Sequence, residues 1–386
     1  MIKSYLKKIA KSIALVPSLL ALCFLLLAIL LLSVRLKLEG SGFVNFMVIE
    51  KKEDVQTIFT FIIGGIFTLT VFSYTMVMNV LNRNISNYSP RLIPMLLSEK
   101  HHQIILGFTS GTIIYCLVLS IELNNNTDDY FPGFAASLGI IFSILCVFLF
   151  IYFIHSVSQS IHINHILFDV FERTSKSLQH KSRELQQFQG INHLEELPFS
   201  YIMGKTGYLH DYDIKKLSEF ALKNSCSIHV QKLPGNFILD NDSILTIDVE
   251  IDDHIRRGLE KIFAVDHEVP LDVPEIGFKH LVEVAVKASS PAINDPATSK
   301  TCIDYLTQLF IDRLNGANYH SFMKHKKTHL VIRQYENQKL ITDCFREMYG
   351  YMKDDYFLPK ILSKSITTIN HHTENAIEFE NIKNCN

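Results

Sequence analysis

The sequence predicts a membrane protein with four transmembrane α-helices followed by a cytosolic α+β domain. Three observations carry that prediction. The apolar residues of the 386-residue chain crowd into its first 157 positions. Four runs there are long enough to cross a hydrocarbon core of about 30 Å, which takes about 20 apolar residues in a helix. Beyond them the pattern changes to short alternating stretches and amphipathic helices, broken by Pro, Gly, Asn and Asp.

The first span is Ile13 to Val34, with LLALCFLLLAILLLSV as its densest part. A cleaved signal peptide has an apolar core of roughly 7–15 residues. This core is longer and Arg35-Leu36-Lys37 follows it, so it reads as an anchor. Thr57 to Val80 is the second span, Gln103 to Ile121 the third and Phe134 to Val157 the fourth, and none has Asp, Glu, Lys or Arg in its interior. Helices are the form that satisfies every backbone polar group within lipid. The second span is rich in hydroxyls (Thr57, Thr60, Thr68, Thr70, Ser73, Thr75) and contains Gly64-Gly65. Small and hydroxyl residues let membrane helices approach closely; the same residues could instead line a polar path. With no carboxylate or ammonium in the spans, an ion-coupled relay has little support.

Positive charge sets the orientation. Lys3, Lys7, Lys8 and Lys11 precede span one, and Arg83, Arg91 and Lys100 lie between spans two and three. Glu122 to Gly133 has no Lys or Arg but carries Asp128 and Asp129. The loop from Arg35 to Gln56 is balanced, with four basic and four acidic residues. Both termini are therefore expected in the cytosol. A reducing compartment suits Cys226, Cys302, Cys344 and Cys385, and seven cysteines without a C-x-x-C pair exclude a disulfide framework or a zinc ribbon.

The expected layout is a four-helix transmembrane domain over 1–157, a connecting helix over 158–192, a small αβ module over 193–250, a mainly helical cytosolic domain over 251–370 and a polar tail over 371–386. In the module, Thr206 to His210 reads as a strand and Ile214 to Asn224 as an amphipathic helix with Leu217, Phe220 and Ala221 on one face. Ser227 to Lys232 alternates, Pro234-Gly235 breaks it, Phe237-Ile238 is extended, Asp240-Asn241-Asp242 turns, and Ile244 to Val249 alternates again. Helices follow at Asp253–Ile262, Gly277–Ser289 and Pro296–Leu314, then a strand at Thr328–Arg333 and helices near Leu340–Met352 and Leu358–Ile369. The first 157 residues hold 11 Lys and Arg against 8 Asp and Glu, and the remainder 26 against 31. So even a balance gives no field to hold nucleic acid. The lipid bilayer is the expected partner, and a homo-oligomer is left open.

The most distinctive stretch runs from Ala288 to Thr298, ASSPAINDPAT. Pro291 ends the preceding helix, since a residue before proline avoids the α region. Asp295 can cap the next helix with Pro296 at its first position, and Asn294 tolerates a turn. The alternative is a ligand pocket at the helix end, with Ser290, Asn294 and Thr298 as donors and Asp272 upstream. Asp295 would oppose a phosphate there and favour a cation or an amine.

His155, His162, His165 and Asp169 fall near one face of a continuous helix, within about 80° at 100° per residue. They are candidate metal ligands or titrating groups, against the simpler reading of histidines beside lipid headgroups. His101-His102 and His371-His372 are adjacent pairs, which do not share a helix face. Gly204-Lys205-Thr206 imitates the end of a phosphate-binding loop, but Phe199 stands where that loop needs glycine. No metalloprotease, serine-hydrolase or dinucleotide fingerprint appears, and no cofactor is indicated. Asp252-Asp253 with Arg256-Arg257 reads as a solvated helix face.

The Ala288–Thr298 stretch resembles the signature of a bacterial family of predicted membrane proteins, domain of unknown function 2254. Tyr88-Ser89-Pro90-Arg91-Leu92, Phe153-Ile154-His155 with Gln159-Ser160-Ile161, Gly207-Tyr208 and Pro234-Gly235-Asn236-Phe237 resemble the same family, in the same order over nearly the whole chain. The resemblance implies a multi-pass protein of the bacterial inner membrane with a cytosolic domain, and it brings no activity. Asn236 stands where Asp is usual, and Glu268-Val269 where an Arg-Thr pair is expected upstream of Asp272. That reversal of charge disfavours an anion site.

Three functions fit this layout. The first is a non-enzymatic channel-like, transport or sensory component whose cytosolic domain binds a ligand and biases the spans. The second is a membrane-tethered enzyme acting on a lipid or nucleotide through Asp272, Glu283, Asn294 and Asp295, provided these converge. The third is a passive scaffold whose soluble half mediates oligomerisation.

Overall fold

A computed structural model describes residues 15–34, 52–87, 100–125, 133–160, 163–185, 189–190, 197–270, 273–315, 322–323 and 330–372. The chain divides into two compact units, residues 1–86 with 90–162, and 87–89 with 163–386.

The first unit contains α1 (Leu15–Val34), α2 (Lys52–Asn87), α3 (Lys100–Asn125) and α4 (Gly133–Ser160). All four are long and apolar enough to cross a membrane, over Leu15–Val34, Val55–Asn79, His101–Asn124 and Gly133–Val157. α1 lies along α3, and the Gly107-x-x-x-Gly111 spacing on α3 allows the approach. A methyl at Gly107 would come within 2.7 Å of Leu20 Cδ1 and 2.9 Å of Pro17 Cα, and one at Gly111 within 2.8 Å of the Phe24 ring. Glycines four apart let helices meet at backbone distance in lipid. Gly139 on α4 likewise faces the rings of Phe59 and Tyr115.

Hydroxyls of the second span bond within their own helix. Thr60, Thr68, Thr70, Ser73 and Thr75 each donate to the carbonyl four residues back on α2. A methyl at Gly64 or Gly65 would meet nothing within 4 Å. These five hydroxyls bond to their own helix, and α2 packs on α4 through Phe59 against Gly139.

The second unit begins with α5 (Ile163–Leu185), followed by β1 (Gln189–Gly190), β2 (Phe199–Ile202), β3 (Gly207–Leu209), α6 (Ile214–Lys223), β4 (Ile228–Val230), β5 (Phe237–Ile238), β6 (Ser243–Ile247), α7 (Asp253–Glu260) and β7 (Val265–Asp266). Then come α8 (Pro274–Ala288), α9 (Pro296–Asn315), β8 (Phe322–Met323), β9 (Leu330–Ile332), α10 (Asn337–Met352) and α11 (Leu358–His372). Strands order as β2-β6-β4-β9, with β9 parallel to β4 and the other pairs antiparallel, as β5-β3-β7, and as β1-β8. Tyr201, Ile228, Val230, Leu245, Ile247, Leu330 and Ile332 share one core with Leu217 and Ala221 of α6 and Ile255 and Leu259 of α7. Asp213 and Asp252 cap α6 and α7 by accepting from the backbone N–H three residues on, as short acceptors do at helix starts.

Helices α5, α8, α9, α10 and α11 form the other layer. Phe278, Phe310 and Phe345 stack in its centre, with ring centroids 4.9 and 5.7 Å apart. α5 belongs to this layer: Phe171 stacks on Tyr305 of α9 at 4.9 Å. It also lies tightly on α8 at Gly277, where a methyl would overlap Thr174 Oγ1 and lie 2.9 Å from Thr174 Cβ and Cγ2. Overpacking of this kind costs about 1–3 kcal/mol. Gly277→Ala is expected to destabilise the second unit by that amount, and adding Thr174→Ala to recover part of it. Reaction of the buried thiols of Cys226, Cys302 and Cys344 with a fluorogenic maleimide during a thermal ramp measures both.

Candidate functional site

Two places concentrate polar groups. The first is the turn from Ser289 to Asp295 between α8 and α9. Ser289 and Ser290 donate their hydroxyls to the carbonyls of Val286 (2.8 Å) and Lys287 (2.7 Å). Asn294 is left-handed at φ 49°, a region asparagine enters more readily than most residues. Its N–H reaches Ser290 O, and Asp295 N–H reaches Ala288 O, both at 2.8 Å. Asp295 caps α9, its Oδ1 accepting from Thr298 N–H (3.1 Å) and its Oδ2 from the Thr298 hydroxyl (2.6 Å). The buried Ser299 hydroxyl reaches back 2.9 Å to Ala285 O and ties the two helices together. Below it lies Cys302, whose thiol is pushed well above the ordinary cysteine range by burial and then by the Asp295 charge.

The turn thus holds the Ser290, Asp295 and Thr298 side chains by hydrogen bonds to one another and to the backbone, and Asn294 by its backbone N–H. Asn294 is exposed, and Glu283 lies five residues before the end of α8. Asp272 lies outside the described residues. Of the histidine set, His155 is on α4 in the first unit, His165 and Asp169 are on α5 in the second, and His162 lies outside the described residues. Asp169 Oδ2 pairs with Arg173 at 2.9 Å. Among the described residues no three His, Cys, Asp or Glu side chains come together as a metal site.

The second place was not legible in the sequence. Glu275, in the first turn of α8, is 1% exposed. Its Oε1 accepts from Arg313 Nη1 of α9 at 2.7 Å, and Lys181 Nζ of α5 lies 3.9 Å from its Oε2. Arg313 also donates from Nε to Asn337 Oδ1 (2.7 Å), and from Nη2 to Tyr335 O (3.1 Å). The Tyr335 hydroxyl donates to Pro234 O at 3.1 Å and accepts from Asn236 Nδ2 at 3.2 Å. Gly235 between them takes φ 83°, and Asn236 Oδ1 closes the turn by accepting from Leu233 N–H. The Pro234-Gly235-Asn236 stretch is therefore one place where the strand module is bound to the segment that starts α10, beside the β4–β9 pairing.

Burial alone would raise the Glu275 carboxyl. The attraction of Lys181 and Arg313, with backbone and Arg313 hydrogen bonds, outweighs it and holds the group below the usual range. The Tyr335 hydroxyl is pushed up to about 12, first by burial and then by the Glu275 charge.

The family model for DUF2254, predicted membrane protein, matches residues 10–367. The chain belongs to DUF2254. Its similar curated relatives are uncharacterised proteins of Mycobacterium. One from Mycobacterium tuberculosis (strain CDC 1551 / Oshkosh) is 22% identical over 262 residues, covering 64% of this chain and 48% of the relative. Others from Mycobacterium bovis (strain ATCC BAA-935 / AF2122/97) and Mycobacterium tuberculosis (strain ATCC 25618 / H37Rv) are 21% identical over the same coverage. This DUF2254 chain spans about half the length of those relatives, and no solved structure matches it.

Two expectations follow. Removing one partner of a buried ion pair costs about 3–5 kcal/mol, so Glu275→Gln, which leaves Arg313 and Lys181 facing a neutral amide, is expected to destabilise the second unit by that order. Because the folded carboxyl is depressed, its contribution is complete above the unfolded value near 4.3 and disappears as pH falls through the lower folded value. Acid unfolding followed by circular dichroism should lose that component in Glu275→Gln. Asp295→Ala is expected to cost about 0.5–2 kcal/mol as a lost cap, and Asp295→Asn less, in chemical denaturation of the full chain in detergent.

Proposed function

We propose that this DUF2254 protein is a non-enzymatic component of the bacterial inner membrane, channel-like or sensory, with both termini in the cytosol. In this reading the second unit responds to a cytosolic ligand and biases the four spans. One observation carries it: α5, separated in sequence from the last apolar helix by only Ile161 and His162, is packed into the second unit through Tyr305, Gly277 and Glu275. In this reading a rearrangement at the Glu275 joint is passed through α5 to the chain that leaves span four. The engagement of the Ser290, Asp295 and Thr298 side chains with one another and the backbone favours this reading over an enzyme that needs them for substrate. The lysines before span one and the basic residues between spans two and three support the orientation.

Full-length protein in liposomes is expected to conduct potassium or chloride above the level of protein-free vesicles, and a flexible four-residue insertion after Ser160 to change that flux. Silence for both ions from pH 5 to 8 contradicts the channel form, and flux indifferent to the insertion contradicts the coupling. Reporter fusions after His372 test the compartment. Fluorescent green fluorescent protein with inactive alkaline phosphatase is the expected pair, and the opposite pair overturns the orientation.

A further inference from the structure

The loops of the helical layer sort to two ends. Lys181 and Arg313 meet at Glu275, and Phe171 stacks on Tyr305. The intervals are ten residues on α5 and eight on α9, so these helices run in the same direction and nearly in register. Followed back at about 1.5 Å per residue, the start of α5 at Ile163 is level with the start of α9 at Pro296. α8 runs opposite to α9, as the Ser299–Ala285 bond and the Phe278–Phe310 stack require, which puts the Ser289–Asp295 turn at this end. α10 also runs opposite to α9: Asn337 holds Arg313 at the far end, and Phe345 meets Phe310 on the way back. α11 returns beside α9, with Ser365 hydrogen-bonded to Thr307. The loop between α10 and α11, residues 353–357, therefore closes the same end as the start of α5. In sequence only two residues separate that start from α4, a helix apolar enough to cross a membrane.

This end carries exposed aromatic surface. Tyr351, Tyr356 and Phe357 are 68, 73 and 64% exposed, more than any other large hydrophobic side chain among the described residues of the second unit. Tyr356 and Phe357 meet edge to face at 4.9 Å, and Lys360 Nζ lies 4.4 Å over the Tyr356 ring. Lys353 and Lys360 are exposed at the tip, and Lys364 is exposed one turn further along α11. Of the two acidic residues there, Asp355 is engaged in capping α11, accepting from Phe357 and Leu358 N–H. Tyrosine at the headgroup level, lysine with its stem in apolar surroundings, and attraction of lysine to anionic lipid are the ordinary chemistry of a bilayer interface.

We propose that the α10–α11 tip seats in the headgroup layer of an anionic bilayer, with Tyr356 and Phe357 at the lipid–water boundary and the three lysines against phosphate headgroups. The proposal rests on the reading that the four apolar helices span and the second unit hangs from the last of them. It gives the second unit a second, reversible tether besides α5.

The chain has no tryptophan, so a single introduced one is a clean reporter. Three full-length variants are placed in phosphatidylcholine–phosphatidylglycerol vesicles, with and without acyl chains brominated near the headgroup. Phe148→Trp, at a 64% exposed position on α4, reports on the spans, and Gln338→Trp on the opposite end of the helical layer. Tyr356→Trp is expected to be quenched at least twofold by brominated lipid, and Gln338→Trp to be unchanged. Replacing Lys353, Lys360 and Lys364 by Glu is expected to abolish the quenching of Tyr356→Trp. Quenching of Tyr356→Trp no greater than that of Gln338→Trp, with Phe148→Trp quenched, overturns the tip proposal alone. A Tyr356→Trp emission that shifts with protein-to-lipid ratio without quenching also overturns it, in favour of a second copy covering the tip. An unquenched Phe148→Trp overturns the spanning reading and the proposal with it.

Discussion

A carboxylate that is 1% exposed stays charged only where cations are brought to it, and the second unit is arranged around that requirement at Glu275. Arg313 arrives from α9 and Lys181 from α5. The remaining donors of Arg313 then fix Asn337 and the Tyr335 carbonyl, and the Tyr335 hydroxyl fixes the Pro234–Asn236 turn. One buried charge thus determines the relation of α5, α8, α9, the start of α10 and the strand module. A buried pair of this kind is a poor source of net stability, because desolvation cancels much of the attraction. Its value here is directional. The guanidinium donates to three acceptors, one on α8 and two at the start of α10, and apolar packing alone does not impose such geometry.

The second constraint is steric. Thr174 needs the missing side chain of Gly277 for α5 to lie on α8, as Leu20 and Phe24 need Gly107 and Gly111 for α1 to lie on α3. Among the described residues of the first unit no charged side chain is buried, and close approach through glycine supplies specific contact, aided by bonds such as Tyr115 to the Ala135 carbonyl at 2.7 Å. Helix α2 joins this packing through Phe59 against Gly139 and not through its own glycines. Its hydroxyls satisfy its own carbonyls, and its glycine pair faces open space.

What was legible in the sequence was what depends on neighbours. The four apolar runs, the strands on either side of Pro234-Gly235, and the helices from Asp253 onward follow from local periodicity and punctuation. The Asp295 cap with Pro296 behind it could also be read, because its partners lie within three residues. β2 escaped because Phe199–Ile202 has only one buried residue, Tyr201, and shows no alternation. β7 has two residues and is defined by pairing with β3 alone. The GxxxG spacing in span three was a signal present in the sequence, overshadowed by the hydroxyls of span two. The Glu275 joint could not be read at all. Its members lie as far apart as Lys181 and Asn337, each is ordinary in its own window, and only the packing of α5 on α8 and α9 brings them together.

The functional reading depends on α5 being one body with the helical layer rather than a linker. Hydrogen–deuterium exchange of the full-length protein in nanodiscs, comparing the native chain with Arg313→Ala, measures this directly. Amides of residues 166–181 should be protected as strongly as those of 276–285 in the native chain and lose protection together with them in the variant. Fast exchange of 166–181 in the native chain, or protection there that ignores the loss of Arg313, would contradict the account.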